Sequence, residues 1–284
     1  MEWLTKQRPT APVTDVVFDF DGTISTIRHS WETVMEPFMV ETIEGSTGSH
    51  KLTRPLSAED IRAMVHLYVE ESTGIQTIMQ MKWLAEKVRT AGTDTAPIND
   101  PWVYKTEYNR RLMISVRERL ELINKDKSKR ADYMIRGSRE LLESLAGRGV
   151  RLFLASGTDD CDVRNEVRAL GLDHFFTEIK GAQENSESCS KEAVIRALIH
   201  DRGVPGSRLA VVGDGKVEIM VGRENGTRTL GVASDEEGLE GVNQAKRARL
   251  MKAGADAITG DFLDISELSE LFFCGKNGKD EAHD

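Results

Sequence analysis

Cysteine, proline and aromatic residues are scarce in this 284-residue chain: three Cys, seven Pro, and 6% Phe, Trp and Tyr together. Cys161, Cys189 and Cys274 are odd in number and lack metal-ligand spacing, which points away from a disulfide framework or a zinc site and fits a reducing compartment. No apolar run approaches the length that crosses a bilayer, and Met1 to Val13 lacks the apolar core of a secretory leader. The expected setting is therefore cytoplasmic, with no membrane partner. Positive charge is also short. With 38 Lys and Arg against 47 Asp and Glu, the formal charge is −9, and no nucleic-acid partner is expected, because backbone phosphates need a basic face. A small phosphorylated ligand remains compatible if a metal and a few local cations take up its charge. What is left, 39% hydrophobic and 30% charged, is ordinary globular composition. The length suits one large α/β domain or a core with a smaller second domain, as monomer or homodimer.

The most informative segment is Val16-Val17-Phe18-Asp19-Phe20-Asp21-Gly22-Thr23. Its β-branched and aromatic start is too short for a helix and reads as a buried strand, which Gly22 breaks. Two acids past the strand end can lean toward one point in the crevice where open α/β sheets bind ligands. Paired carboxylates there need a cation or a proton to offset their charge. Asp-Gly is also a common solvated turn, so the segment alone leaves both readings open.

From about residue 136 the pattern alternates. Helices are expected over 138–146, 161–170 and 190–201, with strands over 150–155, 175–180, 208–213, 229–233 and 256–259. That alternation implies a doubly wound parallel sheet, a Rossmann-like α/β core. Ser190 is read as a helix cap, and the segment after Phe273 as a polar, frayed tail. Residues 26–135 differ, with helical patterns and no convincing strand. Helices are expected over 31–43, over 75–90 with Ile75, Ile78, Met79, Trp83 and Leu84 as its stripe, and over 103–123 with Leu112, Val116, Leu120 and Ile123. Ser57 to Asp60 forms a capping box opening a further one, with Ile61, Met64, Val65, Tyr68 and Val69 on one face; Gly92 to Pro101 is a turn-rich break. The expected division is 1–25 plus 136–284 as the core, with 26–135 inserted as an all-helical cap over the strand ends.

Three strand ends then carry polar groups: Asp19 and Asp21, Ser156, and Asp214; Lys191 opens a helix. In a parallel sheet they can converge at the carboxyl edge. Each has a plainer role: Ser156 as a helix cap, Lys191 as a solvated lysine, Asp214 as a loop acid. Together they supply the parts of phosphoryl transfer.

With these four motifs in order, the chain resembles the haloacid dehalogenase superfamily of hydrolases, within it the phosphoglycolate-phosphatase-like group with a helical cap. The resemblance covers residues 13–25 and about 136–272, with Asp19 to Thr23, Ser156, Lys191 and Gly213-Asp214-Gly215-Lys-Val-Glu218 as the motifs. It implies Asp19 as nucleophile, Asp21 as acid and base, and Ser156 and Lys191 as phosphate ligands. It further implies Mg²⁺ held by Asp19, the backbone carbonyl of Asp21 and Asp214, with Glu218 reaching a metal-bound water or pairing with Lys191. Gly22, Thr23, Gly157, Thr158 and Arg28 are the expected substrate contacts. Thr158 competes with Ser156 for the phosphate. The sequence departs from the family's pattern in Glu218, where Asp is common, and near Thr26, where many relatives carry an acid.

Asp21 speaks against a dehalogenase, which needs no leaving-group acid. What remains is a phosphatase acting on a small phosphorylated metabolite such as a sugar phosphate or phosphoglycolate. A sugar-phosphate mutase and a non-catalytic phospho-ligand binder are the alternatives. Roughly 30 residues separate Ser156 from Lys191, too few for a domain, which assigns the lid to the segment before Ser156. Arg28, at the crossing into that segment, either reads an anionic or hydroxyl-rich leaving group or faces solvent near a hinge. Gln76, Lys82 and Arg110 are weaker candidates on the helices.

Overall fold

The computed structural model of the chain describes residues 1–6, 9–45, 57–91, 99–183 and 190–273, without the Ser190 side chain. Cys189, Cys274, most of the break at 92–101, the capping of Ser190 and the tail after Phe273 lie outside this set. Among the described residues seven strands form one sheet: β1 (Glu2–Trp3), β2 (Asp15–Phe18), β3 (Arg151–Asp159), β4 (Phe176–Ala182), β5 (Leu209–Gly213), β6 (Arg228–Val232) and β7 (Ala257–Thr259). Their spatial order is β1-β7-β6-β5-β2-β3-β4. All pairings are parallel except that of β1 with β7, an antiparallel edge. Crossovers between parallel strands demand helices, and the chain supplies them on both faces.

The period-2 alternation of each strand explains how. Val16 and Phe18 of β2 face one side with Leu152, Leu154, Ala210 and Val212, against helices α5 (Ser138–Gly147), α6 (Asp160–Leu170) and α10 (Ile265–Phe273). Val17, Phe153 and Val211 face the other, against α7 (Ser190–Arg196) and the π-helical turn Ala197–Asp201. The same face continues to α8 (Lys216–Glu224) and α9 (Gln244–Ala253) through Ile219, Leu250 and Ile258. Phe18 and Phe153 are fully buried, each worth about 1.5–3 kcal/mol of transfer free energy.

Between β2 and β3 stand α1 (Glu32–Glu44), α2 (Ala58–Glu71), α3 (Thr77–Thr90) and α4 (Pro101–Lys125). Met35, Phe38 and Met39 of α1 join Ile61 and Val65 of α2, Met81, Leu84 and Val88 of α3, and Leu112 and Val116 of α4 in one apolar cluster, continuous with the sheet's. The capping box at Ser57 is present: its Oγ accepts from the Asp60 N–H at 3.1 Å, and the Asp60 carboxylate accepts from the Ser57 N–H at 3.1 Å. The stripe expected on α3 holds in part: Ile78 and Leu84 are buried and Trp83 packs partly buried against the core, whereas Met79 is 42% exposed and Ile75 precedes the helix. Gln80, Met81, Ala85 and Val88 complete the inward face. The expected strand at 175–180 starts at Phe176 and runs to Ala182, and β3 extends to Asp159. Within 26–135 the one β interaction among the described residues is a single bridge, Ser25 to Met134. With the Ile135 N–H donated to the Ile24 carbonyl at 2.9 Å, it sets the two crossings side by side.

Candidate active site

The carboxyl ends of β2, β3 and β5 meet above the sheet, as their shared direction requires. Asp19 follows β2 directly, its N–H bonded to the Val212 carbonyl of β5 at 2.9 Å. Gly22 then turns the chain at φ +72°, where a Cβ would strike the Asp214 carboxylate, so only glycine fits. Lys191, in the first turn of α7, sets its Nζ 2.9 Å from Asp19 Oδ2 and 3.1 Å from Glu218 Oε2. All three side chains are buried. Burial drives the Asp19 carboxyl well above the usual range, with Lys191 opposing and Glu218 and Asp214 adding to it. For Lys191, burial works against the ammonium, but the two carboxylates outweigh it and its pKa rises. Lys191 therefore stays charged.

Ligand oxygens of Asp19, Asp214 and Glu218 lie within 4.8 Å of one another, a grouping suited to a divalent cation. An all-carboxylate donor set is hard and favours a hard ion. On the other side, Asp21 Oδ2 accepts from Thr158 Oγ1 at 2.8 Å and from Ser156 Oγ at 3.3 Å. Its Oδ1 is buried with no hydrogen-bond partner among the described residues. A carboxylate oxygen left open beside Asp19 is placed to take or give a proton.

The family model of the haloacid dehalogenase-like hydrolases matches residues 16–232. The chain belongs to this family. A 5'-nucleotidase of Pseudomonas aeruginosa is 30% identical over 96 residues, covering 34% of this chain and 43% of that protein; the chain thus matches under half of its relative's length. Among solved structures, the β-phosphoglucomutase of Clostridium difficile superposes with TM-score 0.60 at 14% identity, covering 92% of this chain and 97% of that one. CbbY of Rhodobacter sphaeroides, solved with xylulose-(1,5)bisphosphate, gives 0.57 at 17%, covering 91% and 99%. A predicted phosphoglycolate phosphatase of Haemophilus somnus gives 0.54 at 18%, covering 92% and 99%. At these identities the likeness is one of fold.

In this haloacid dehalogenase-like hydrolase, Asp19, Asp21, Gly22, Ser156, Gly157, Thr158, Lys191, Asp214 and Arg28 all line one cavity of about 110 Å³. Three expectations change. Thr23 does not line it: fully buried, its Oγ1 accepts the Asp214 N–H at 3.0 Å and so fixes that acid. Arg28 is no solvent-facing hinge residue. It is 8% exposed, and its Nε and Nη2 bond Glu166 of α6 at 3.0 and 2.7 Å, with Asp162 at 3.4 Å from Nη2. Burial pushes the Glu166 carboxyl up to about 7 against the pull of Arg28. Of the helical candidates, Gln76, Lys82 and Arg110 stay off the cavity; Gln80 and Tyr108 line it in their place. Glu218 has both oxygens engaged, Oε2 by Lys191 and Oε1 by the Gly215 N–H at 2.7 Å.

The sequence reading missed a second cation. Lys246 of α9 stands 2.9 Å from Asp214 Oδ2 and pairs with Glu236, while donating to Ser234 Oγ at 3.3 Å. Ser234 in turn donates to the Gly22 carbonyl at 2.6 Å. Burial pushes the Asp214 carboxyl up, but Lys246 outweighs this and holds it below the usual range. No motif marks Glu236 or Lys246; the one clue was position, just past β6, another strand of the same parallel sheet.

Proposed function

We propose that the chain is a Mg²⁺-dependent phosphomonoesterase that works through an aspartyl-phosphate on Asp19. The observation that carries this reading is the convergence of Asp19 and Asp21 with Lys191, Asp214 and Glu218 at one strand edge. Asp19 attacks phosphorus, helped by Lys191, which takes up charge on nucleophile and phosphoryl oxygens. Asp21 gives its proton to the leaving oxygen and afterwards takes one from the water that hydrolyses the acyl phosphate. Thr158 and Ser156 hold Asp21 through Oδ2 and leave Oδ1 for that transfer. Asp19, Asp214 and Glu218 would hold Mg²⁺, which when bound offsets repulsion between carboxylate and phosphate and stabilises charge on the transferring group. Fully buried like charges so close together need such an offset, and Lys191 and Lys246 supply only part of it.

Residues 26–135 act in this reading as the lid over the core formed by 1–25 and 136–284, since Gln80, Tyr108 and Leu112 close the cavity from the helical side. The named activity of the Pseudomonas relative and the sugar bisphosphate held by CbbY support a small phosphorylated metabolite as substrate. The test is phosphate release from a panel of phosphorylated metabolites and p-nitrophenyl phosphate, with Mg²⁺ and with EDTA, for wild type and Asp19→Asn. Metal-dependent release lost in the variant supports the reading. No release from any ester by a folded protein removes it, and conversion between sugar-phosphate isomers would point to a mutase.

A further inference from the structure

The cavity has an unusual charge balance. Among the described residues its lining holds four carboxylates (Asp19, Asp21, Asp214, Glu236) and only two cations, Arg28 and Lys191. Neither cation is free. Lys191 is shared between Asp19 at 2.9 Å and Glu218 at 3.1 Å. Arg28 is held by Glu166 at 2.7 Å and Asp162 at 3.4 Å, so that its charge is matched by Asp162 even where Glu166 carries a proton. Lys105 of α4, which does not line the cavity, is tied to Asp159, which also accepts from Asn109 at 2.9 Å. A divalent ion and Lys191 are then occupied by the phosphoryl group and its nucleophile. A second anion on the substrate would meet low-dielectric walls with no cation to receive it, where uncompensated charge is costly.

Neutral hydrogen-bonding groups, by contrast, are present. Gln80 and Thr77 of α3 and Tyr108 of α4 line the side of the cavity away from the strand edge. Tyr108 is 3% exposed, and burial raises its pKa, so that it remains a phenol with an O–H to give. Gln80 is anchored by its Nε2, which donates to Ser72 Oγ at 3.0 Å.

We propose that this site takes phosphomonoesters with an uncharged, hydroxyl-bearing leaving group, read by Tyr108 and Gln80, and rejects esters that carry a second anionic group. The inference rests on the phosphatase reading and narrows its substrate class. It also reverses the role first expected of Arg28: the guanidinium, neutralised from behind, is a positioning residue that ties the crossing after β2 to α6.

Glycerol 3-phosphate and 3-phosphoglycerate form a matched pair, differing only in a hydroxymethyl group against a carboxylate. We would measure kcat/KM for each, and the inhibition each exerts on p-nitrophenyl phosphate hydrolysis, with Mg²⁺ present. The expected result is at least a ~10-fold preference for the neutral member in kcat/KM, in inhibition, or in both, as one unmatched charge requires. Equal use of the two, or preference for the carboxylate, overturns the inference while leaving the phosphatase reading intact. No hydrolysis of p-nitrophenyl phosphate or either ester removes both. As a second arm, Asp162→Asn combined with Glu166→Gln unmasks Arg28 and should shift the ratio toward 3-phosphoglycerate by ~10-fold. An unshifted ratio in a variant that melts cooperatively also counts against the charge argument, and a misfolded variant leaves the wild-type comparison to decide.

Discussion

The strand edge and the helical block meet at one cavity but are built from different materials. At the edge, Asp19, Asp21, Lys191, Asp214 and Glu218 are close partners at strand ends and in the first turns of the helices beside them, charged and, except for half-buried Asp21, buried. From the helices come Gln80, Thr77, Tyr108 and Leu112, neutral groups on elements that pack chiefly on one another. Each face suits a different task. Reaction chemistry needs charges held in fixed geometry in a dry site, whereas selection among esters can be done by hydrogen bonds and apolar contacts on a surface able to move. The difference predicts that changes at the edge lower kcat and changes in the helices raise KM.

The hardest break comes from Asp19→Asn, which removes the proposed nucleophile: steady-state phosphate release should fall ~10³-fold or more. Lys191→Met leaves Asp19 and Glu218 as facing buried acids without their shared cation. Here kcat should drop ~10²-fold, with the apparent KM for the ester much less altered. Lys246→Met tests whether the second cation belongs to the edge. Without it the acids around Asp214 attract a divalent ion more strongly. We expect the Mg²⁺ concentration for half-maximal activity, and that for half-maximal thermal stabilisation of the protein, to fall ~3-fold or more. Crossing to the helices, Tyr108→Phe should raise KM about three- to tenfold, the worth of one hydrogen bond, with kcat within about twofold. A kcat loss matching that of Lys191→Met would erase the distinction between the two faces.

The smallest effect is electrostatic and lies wholly within the helical block. His66 of α2 bonds Glu36 of α1 at 3.0 Å, and that contact raises the imidazole pKa above 6.5. A histidine whose folded pKa exceeds its unfolded value stabilises the fold below the unfolded pKa, and this contribution is lost as pH rises through the folded one. The melting temperature should therefore fall slightly more steeply above pH 6.5 in wild type than in Glu36→Gln. Since both groups are exposed, the difference is small.

How legible was all this in the sequence? The run Val16 to Phe18 is uniformly apolar because β2 is central and covered on both faces, and a centre of that kind declares itself. β1 went unread because two residues on an antiparallel edge carry no periodicity. The α3 stripe was legible only in part: Ile78 and Leu84 are buried, but Thr77, not Ile75, starts the helix, Met79 is exposed, and Gln80, a polar residue, takes an inward place. Asp19, Asp21, Ser156, Lys191 and Asp214 were found since each sits at a strand or helix end that local pattern marks. Glu236 and Lys246 belong to a loop and a helix with no such mark, and Glu166 looked like one more charge on an amphipathic helix.

The sequence by itself determined the alternating core, the place of the helical insertion and the identity of the acids at the strand ends. These follow from periodicity and turn chemistry, which act over a few residues. Only the tertiary structure decided which groups meet: that Arg28 pairs with Glu166, that Lys246 pairs with Asp214, that Thr23 faces inward. Charge is read pairwise in space, over a few ångströms of low-dielectric interior, and no local pattern in a chain encodes a partner that lies tens of residues away, as Asp214 does from Lys246, or more than a hundred, as Glu166 does from Arg28.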